Sequence, residues 1–298
     1  MVFPFSKKAF TLVELLVVIA IVGLLSTIVL AVTSGVSEQG RIAKGLQFSQ
    51  HLENSLGDHL VGRWTFDEDP DLNLCGAGKV CDTSGWNNHG TMHNFVLPYG
   101  LVDDDTPSDQ GWAMKFDGED DYVDCGSNPI FNFTDENFTF EAWIKPNAVS
   151  GTDQIMHRHS WNSSGYRWQI NDGNRMSFYT FQSGVFQTSG TSAGSITLEE
   201  WNHVAVVRIG SSVKLYVDGK DKTTVFGNHI DPASRLGTLQ ISNSYYPEAY
   251  SGLIDGFFIY NTALTVSQIK SQYYVGLQNL LAKGQITEQE YFQRLTMK

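Results

Sequence analysis

Positive charge is scarce in this 298-residue chain: 20 Lys and Arg stand against 32 Asp and Glu, a formal balance of −12. Phosphate backbones are held by a surplus of cations, so nucleic acid is not expected as a partner. Cysteine is nearly absent, and three residues are too few for a disulfide-built scaffold. No second Cys or His pair has ligand spacing, so no zinc site is expected either. Proline is rare, and none interrupts Ser37 to Leu60. Catalytic signatures are missing as well. Glycoside hydrolysis needs two carboxylates facing one cleft, and Glu141 sits on a strand pattern with no carboxylate two positions away. It reads as an exposed residue of that alternation. His157, His159 and His203 accompany no nucleophile in a readable arrangement. No enzymatic activity is expected.

What is present begins at the amino terminus. Lys7 and Lys8 lead into Ala9-Phe10-Thr11-Leu12-Val13-Glu14, and an uncharged apolar run follows from Leu15 to Val32. That run is of the length that crosses a bilayer, roughly 20 residues as a helix. A carboxylate inside a membrane segment costs roughly 2.5–3.5 kcal/mol at the bilayer centre, so Glu14 implies a partner.

These residues resemble the N-terminal methylation segment of type IV prepilins and pseudopilins. The resemblance implies that prepilin peptidase cuts between Ala9 and Phe10 and that Phe10 becomes the N-methylated first residue. It also implies that Glu14, fifth in the mature chain, pairs with the terminal ammonium of a neighbouring subunit, which offsets its burial. Ala9 stands where the family usually has Gly. Loss of Lys7 and Lys8 takes the balance to 18 − 32, or −14. A secretory signal peptide and a plain signal anchor are the competing readings. No clear Ala-x-Ala lies beyond Val32, and neither accounts for Glu14 with the Phe-Thr-Leu spacing.

Beyond the apolar run, Ile42, Leu46, Leu52, Leu56 and Leu60 recur mostly every fourth residue, which predicts an amphipathic continuation of the same helix. A helix over 10–60 would be about 75 Å long. From Val61 the period switches to two. Phe138, Phe140, Ala142 and Ile144 alternate with Thr139, Glu141, Trp143 and Lys145, and Val213 to Val217 ends in Asp218-Gly219, a hairpin turn. Many short strands separated by Gly, Asn and Asp predict an antiparallel β-sandwich.

The strands carry an ordered set of phrases: Trp64-Thr65-Phe66-Asp67, Asp82-Thr83-Ser84-Gly85, Phe116-Asp117-Gly118, Phe138 to Pro146, Trp201-Asn202-His203, Leu215 to Gly219 and Gly252-Leu253-Ile254-Asp255-Gly256. Together they resemble the laminin-G-like, concanavalin A-like jelly roll over about 61–275. The resemblance implies aromatics such as Trp143 and Trp201 in a two-sheet core and glycans or proteins bound at loop edges. It also implies a Ca²⁺ ion, for which Asp82, Asn87 and Asp255 are the candidate ligands, with Asp67 able to join. The alternative for Asp82 and Asn87 is a side-chain turn, and for Asp255 a strand-end cap. The acidic runs Asp103 to Asp105 and Glu119 to Asp121 read as solvated loops. Tyr245 and Tyr246, in a Ser/Asn-rich loop, are the preferred exposed aromatic patch for a ligand, whereas Trp168 reads as core. Cys75 and Cys81 flank a five-residue turn with two glycines and can close a disulfide after export, the alternative being free thiols; Cys125 reads as a buried small hydrophobe.

The expected organisation is α+β: a leader over 1–9, a transmembrane and filament helix over 10–60, a jelly roll over 61–275 and a helical hairpin over 276–298. In the hairpin, Thr287 and Glu290 form a capping box. The expected role is a pilin-like or pseudopilin-like subunit displaying a non-catalytic lectin-like domain. Its expected partners are prepilin peptidase, other pilin subunits, the membrane, and a glycan or surface protein. The precursor would sit in the cytoplasmic membrane and the mature chain in a surface or periplasmic filament. The alternatives are a secretion pseudopilin contacting cargo and an anchored lectin-like receptor that never polymerises.

Overall fold

The structure is a computed structural model that describes residues 56–67, 74–96, 101–103, 106–108, 111–149, 151–160, 163–182, 184–230, 233–234, 237–242 and 249–296. The chain divides into two units, 1–47 and 48–298. Ala9, Phe10, Glu14 and the apolar run lie outside the described residues. Among the described residues no helix is long and apolar enough to cross a membrane.

Among the described residues seventeen strands form two sheets, and every ladder is antiparallel. The eight-stranded sheet holds β1 (Leu60–Trp64), β4 (Leu101–Asp103), β5 (Trp112–Asp117), β7 (Phe138–Pro146), β12 (Asn202–Ile209), β13 (Ser212–Val217), β14 (Lys220–Asp221) and β17 (Ser251–Tyr260). Its order is β14-β13-β12-β7-β17-β5-β4, with β1 also paired to β17. The nine-stranded sheet holds β2 (Lys79–Val80), β3 (Gly90–His93), β6 (Tyr122–Asp124), β8 (Thr152–Ser160), β9 (Ser164–Asn171), β10 (Arg175–Gln182), β11 (Val185–Thr191), β15 (Thr223–Val225) and β16 (Gln240–Ser242), in the order β15-β11-β10-β9-β8-β16-β6-β3-β2.

Alternation decides which side chains fill the space between the sheets. Phe138, Phe140, Ala142 and Ile144 of β7 and Val204 and Val206 of β12 meet Trp168, Ile170, Met176 and Phe178 from the other sheet, all buried. Cys125 is buried in the same core. The β13–β14 hairpin turns at Asp218 and Gly219, both at positive φ (50° and 71°), as the Asp-Gly pair predicts.

The opposite face of β7 departs from the sequence expectation. Glu141 is 2 % exposed and Trp143 6 %, because a helix covers this side of the eight-stranded sheet. That helix, α1 (Val266–Ala282), begins at Thr265, whose side chain accepts from Gln268 N while Gln268 returns the bond in a capping box. Thr139 ties the approach to the sheet, since its Oγ1 donates to Thr262 O and accepts from Leu264 N, each at 2.9 Å. Trp143 and Trp201 therefore pack beneath Tyr273, Leu277 and Leu280, outside the two-sheet core. A Cβ at Gly276 would lie 2.4–2.7 Å from ring atoms of Trp143, so only glycine lets the helix approach this closely.

α1 runs unbroken through residues 275 and 276, so the tail begins as a continuation of the closing helix. Gly284, at φ 72°, turns the chain into α2 (Glu288–Thr296). Thr287 Oγ1 accepts from Glu290 N at 3.1 Å, and the Glu290 carboxylate pairs with Arg294 at 2.7 Å. Tyr291 and Ile286 join the cluster around Trp201. The hairpin is thus held by the sandwich, since helices this short are marginal alone.

Candidate functional site

On the outer side of the nine-stranded sheet, alternation exposes what the core does not take. Met176 and Phe178 point inward, so Ser177 and Tyr179 face out, with Gly190 and Thr188 opposite them on β11. Across β9, Ser177 faces Gln169 and Tyr179 faces Arg167. The result is an open groove of about 470 Å³ lined by Asn171, Asp172, Arg175, Ser177, Tyr179 and Thr188 among others. Asn171 Nδ2 donates to Ser177 Oγ at 2.7 Å, and Gln169 Nε2 donates to Asn171 Oδ1, so the amides are oriented by their neighbours. The Arg167 guanidinium lies 4.7 Å from the Tyr179 ring centroid and 5.6 Å from that of Phe181, which braces the Tyr179 ring from one side. An aromatic ring beside fixed amides, hydroxyls and a carboxylate suits a ligand with both hydroxyl groups and apolar C–H faces.

The residues expected to hold calcium are arranged differently. Asp82 spends its carboxylate on backbone donors: Oδ1 accepts from Arg63 N and Ser84 N, both at 2.9 Å, and Oδ2 from Asn88 N at 2.8 Å. This is the side-chain turn. Asn87, at φ 56°, is an exposed corner of that turn. Asp255 is fully buried on β17, where its Oδ2 accepts from Ser108 N at 2.8 Å. Among the described residues, Asp67, Asp82 and Asp255 do not form a group of carboxylates close enough to share an ion. Asp117, Asp120 and Asp121 do approach one another; there Asp117 Oδ1 accepts from Glu119 N and Asp120 N, and Asp121 Oδ2 from Asp117 N. Cys75 and Cys81 form the disulfide, with Cα atoms 5.5 Å apart. Tyr245 and Tyr246 lie outside the described residues. Trp168 is fully buried, as expected.

A second recess, of about 490 Å³, opens where α1 crosses the eight-stranded sheet. Register assembles its floor. His203 on β12 and Asp255 on β17 both pair with Trp143 on β7, and Glu141 is two residues back along β7 on the same face. His203 Nε2 lies 2.6 Å from Glu141 Oε1, with both side chains at most 2 % exposed. A bulge between Asp255 and Phe258, with Gly256 at φ 56°, widens the floor beside them. Arg63, Asp67 and Ser108 form one wall, and Gln272, Val275, Gly276 and Asn279 of α1 form the other. Ser108 Oγ donates to Asp67 Oδ1 at 2.8 Å, and Lys283 Nζ donates to the Ser108 carbonyl nearby. Burial pushes the Asp255 carboxyl well above the usual range, with the Asp67 charge adding to the shift, and burial also raises Asp67. The histidine and glutamate were each visible in the sequence, but only pairing across three strands brings them together. A tryptophan at an outward position of β7 was the available signal that this face is covered.

A search of curated proteins found no match. The description "prokaryotic N-terminal methylation motif" fits residues 5–30. Among solved structures, domain 4 of AbnA, a GH43 extracellular arabinanase from Geobacillus stearothermophilus in complex with arabinotriose, is 18 % identical with a TM-score of 0.54, over 72 % of this chain and 98 % of that one. The binding domain of Paraclostridial Mosquitocidal Protein 1 is 17 % identical with a TM-score of 0.57, over 74 % and 53 %. The ligand-binding domain of botulinum neurotoxin serotype D in complex with N-acetylneuraminic acid is 16 % identical with a TM-score of 0.54, over 76 % and 53 %. The chain thus spans about half the length of these toxin domains. At such identities the likeness is one of fold. The description "Concanavalin A-like lectin/glucanases superfamily" fits residues 117–270. With just over half of its length matched, the chain belongs to the concanavalin A-like lectin/glucanase superfamily, here preceded by an N-terminal methylation motif.

Proposed function

We propose that this chain is a type IV pilin-like filament subunit that displays a glycan-binding sandwich. The observation carrying the reading is the union, on one chain, of a methylation motif over 5–30 and a concanavalin A-like domain whose outer sheet bears a polar, aromatic groove. In this reading prepilin peptidase cuts between Ala9 and Phe10, and Glu14 pairs with the terminal ammonium of the next subunit. The precursor sits in the cytoplasmic membrane, and the assembled filament carries the sandwich outward. The sandwich binds without cleaving: Tyr179 stacks against a sugar face while Asn171, Asp172, Ser177 and Thr188 exchange hydrogen bonds with its hydroxyls. The solved neighbours in complex with arabinotriose and N-acetylneuraminic acid make these two sugar classes the first to test. This reading uses no Ca²⁺ at Asp82, Asn87 and Asp255: Asp82 already accepts from three backbone N–H groups, which supports its role as a side-chain turn.

Two measurements test the reading. Mass spectrometry of the mature chain from its native cell should find N-methylated Phe10 as the first residue; an intact Met1 or a cut beyond Val32 overturns the pilin assignment. A glycan array probed with the full chain should show binding that Tyr179→Ala weakens at least tenfold, about 1.4 kcal/mol. Binding that survives this substitution unchanged places the contact elsewhere.

A further inference from the structure

The recess beneath α1 is unexplained by glycan binding on the opposite sheet. It has the volume of a small-molecule site. Its polar groups are strongly biased toward acceptors. Glu141 Oε1 as a carboxylate oxygen only accepts, so His203 Nε2 carries the proton of that 2.6 Å contact. Three residues of the lining each keep a buried polar atom without a partner: Glu141 Oε2, His203 Nδ1 and Asp255 Oδ1. Buried polar atoms are ordinarily satisfied, so three in one lining mark a place where partners are missing. Asp67 adds a third carboxyl group at the wall, where Arg63 lines the recess and Lys283 Nζ stands behind Ser108. Burial raises both Asp67 and Asp255, a shift that a cation bound beside them would reverse. Trp143 offers no stacking face here, being covered by Tyr273, His203 and Gly276.

We propose that this recess binds a small soluble organic cation with several N–H donors, of the size of a short diamine, through Glu141, His203, Asp255 and Asp67. Neutral sugars supply no charge to set against the buried Glu141 and its neighbours Asp67 and Asp255, and an anion would meet the Glu141 carboxylate. The site is independent of the groove around Tyr179, which lies on the other sheet.

The test is isothermal titration of the full chain in detergent, at neutral pH and low salt, with putrescine and with 1,4-butanediol as its neutral counterpart. Putrescine should bind saturably at one site and butanediol at least tenfold more weakly. Glu141→Gln should weaken putrescine at least tenfold, Asp67→Asn at least threefold, and Tyr179→Ala not at all. Asp67 is only half-buried, so Asp67→Asn keeps the test decisive if Glu141→Gln does not fold. Absence of saturable putrescine binding, equal binding of the diol, or wild-type affinity in Asp67→Asn overturns the proposal.

Discussion

Consider replacing Asp121 by asparagine. The side chain is 5 % exposed, its Oδ2 accepts from Asp117 N at 3.0 Å, and its Oδ1 has no partner. Burial, with the nearby Asp117 and Asp120 charges, pushes the carboxyl from its ordinary 3.8 to about 6. The folded protein therefore holds this proton more tightly than the unfolded chain does, and ionisation removes stability as pH rises from about 4 through 6. At 1.36 kcal/mol per unit the loss above pH 6 is about 3 kcal/mol, an upper figure because local relaxation returns part of it. The amide introduced by Asp121→Asn would keep an acceptor for Asp117 N and carry no charge. Denaturant unfolding followed by tryptophan fluorescence, in chelator so that no divalent ion compensates the carboxylates, should show Asp121→Asn more stable by ~1–3 kcal/mol near pH 7.5. The advantage should vanish near pH 4, where wild-type Asp121 is protonated. A variant less stable at pH 7.5, or equally advantaged at both pH values, refutes the reasoning.

Two further outcomes follow from the packing. Gly276→Ala places a methyl group against the Trp143 ring, and overpacking of this kind should cost ~1–3 kcal/mol in the same unfolding assay; a neutral result would show that α1 can lift from the sheet freely. His229 is fully buried between Thr180 and Ser189, and burial beside Arg208 lowers its pKa from 6.5 to about 4. The unfolded chain then takes up this proton first as pH falls, so stability should drop by up to ~3 kcal/mol between pH 6.5 and 4, opposite in sign to the Asp121 contribution. A His229→Asn variant should lose that slope whatever its absolute stability, and an unchanged slope assigns the acid sensitivity to other groups.

Much of the sandwich is legible from local pattern. Period-two runs mark β7, β12 and β13, Asp218-Gly219 marks the turn that follows them, and Cys75 with Cys81 marks the short bridged turn. Such features depend on residues close in sequence. The outer face of β7 does not, because its cover arrives with α1, more than a hundred residues later, and alternation alone then assigns Glu141 to solvent. His203 is 62 residues from Glu141, and their contact exists only through the β7–β12 register. The Asp82 loop carried two readings of equal local plausibility, and the partners that make its side-chain turn include Arg63 N, on the distant β1. The groove around Tyr179 draws on β9, β10 and β11, each of which supplies a few ordinary polar residues that acquire meaning only side by side.

The position of β17 in the eight-stranded sheet has a consequence for synthesis. It lies between β7 and β5 and also pairs with β1, so residues 60–64 wait for residues 257–260 before their ladder closes. α1 follows it directly, so Trp143, Trp201, Ala205 and Val207 stay uncovered until nearly the whole chain has been made. Folding dominated by such distant pairings is slow and leaves apolar surface open to aggregation. The eight-stranded sheet therefore cannot close before the last strand has been made. Truncation at the start of α1 would strip Trp143 and Trp201 of the cover that Tyr273, Leu277 and Leu280 provide.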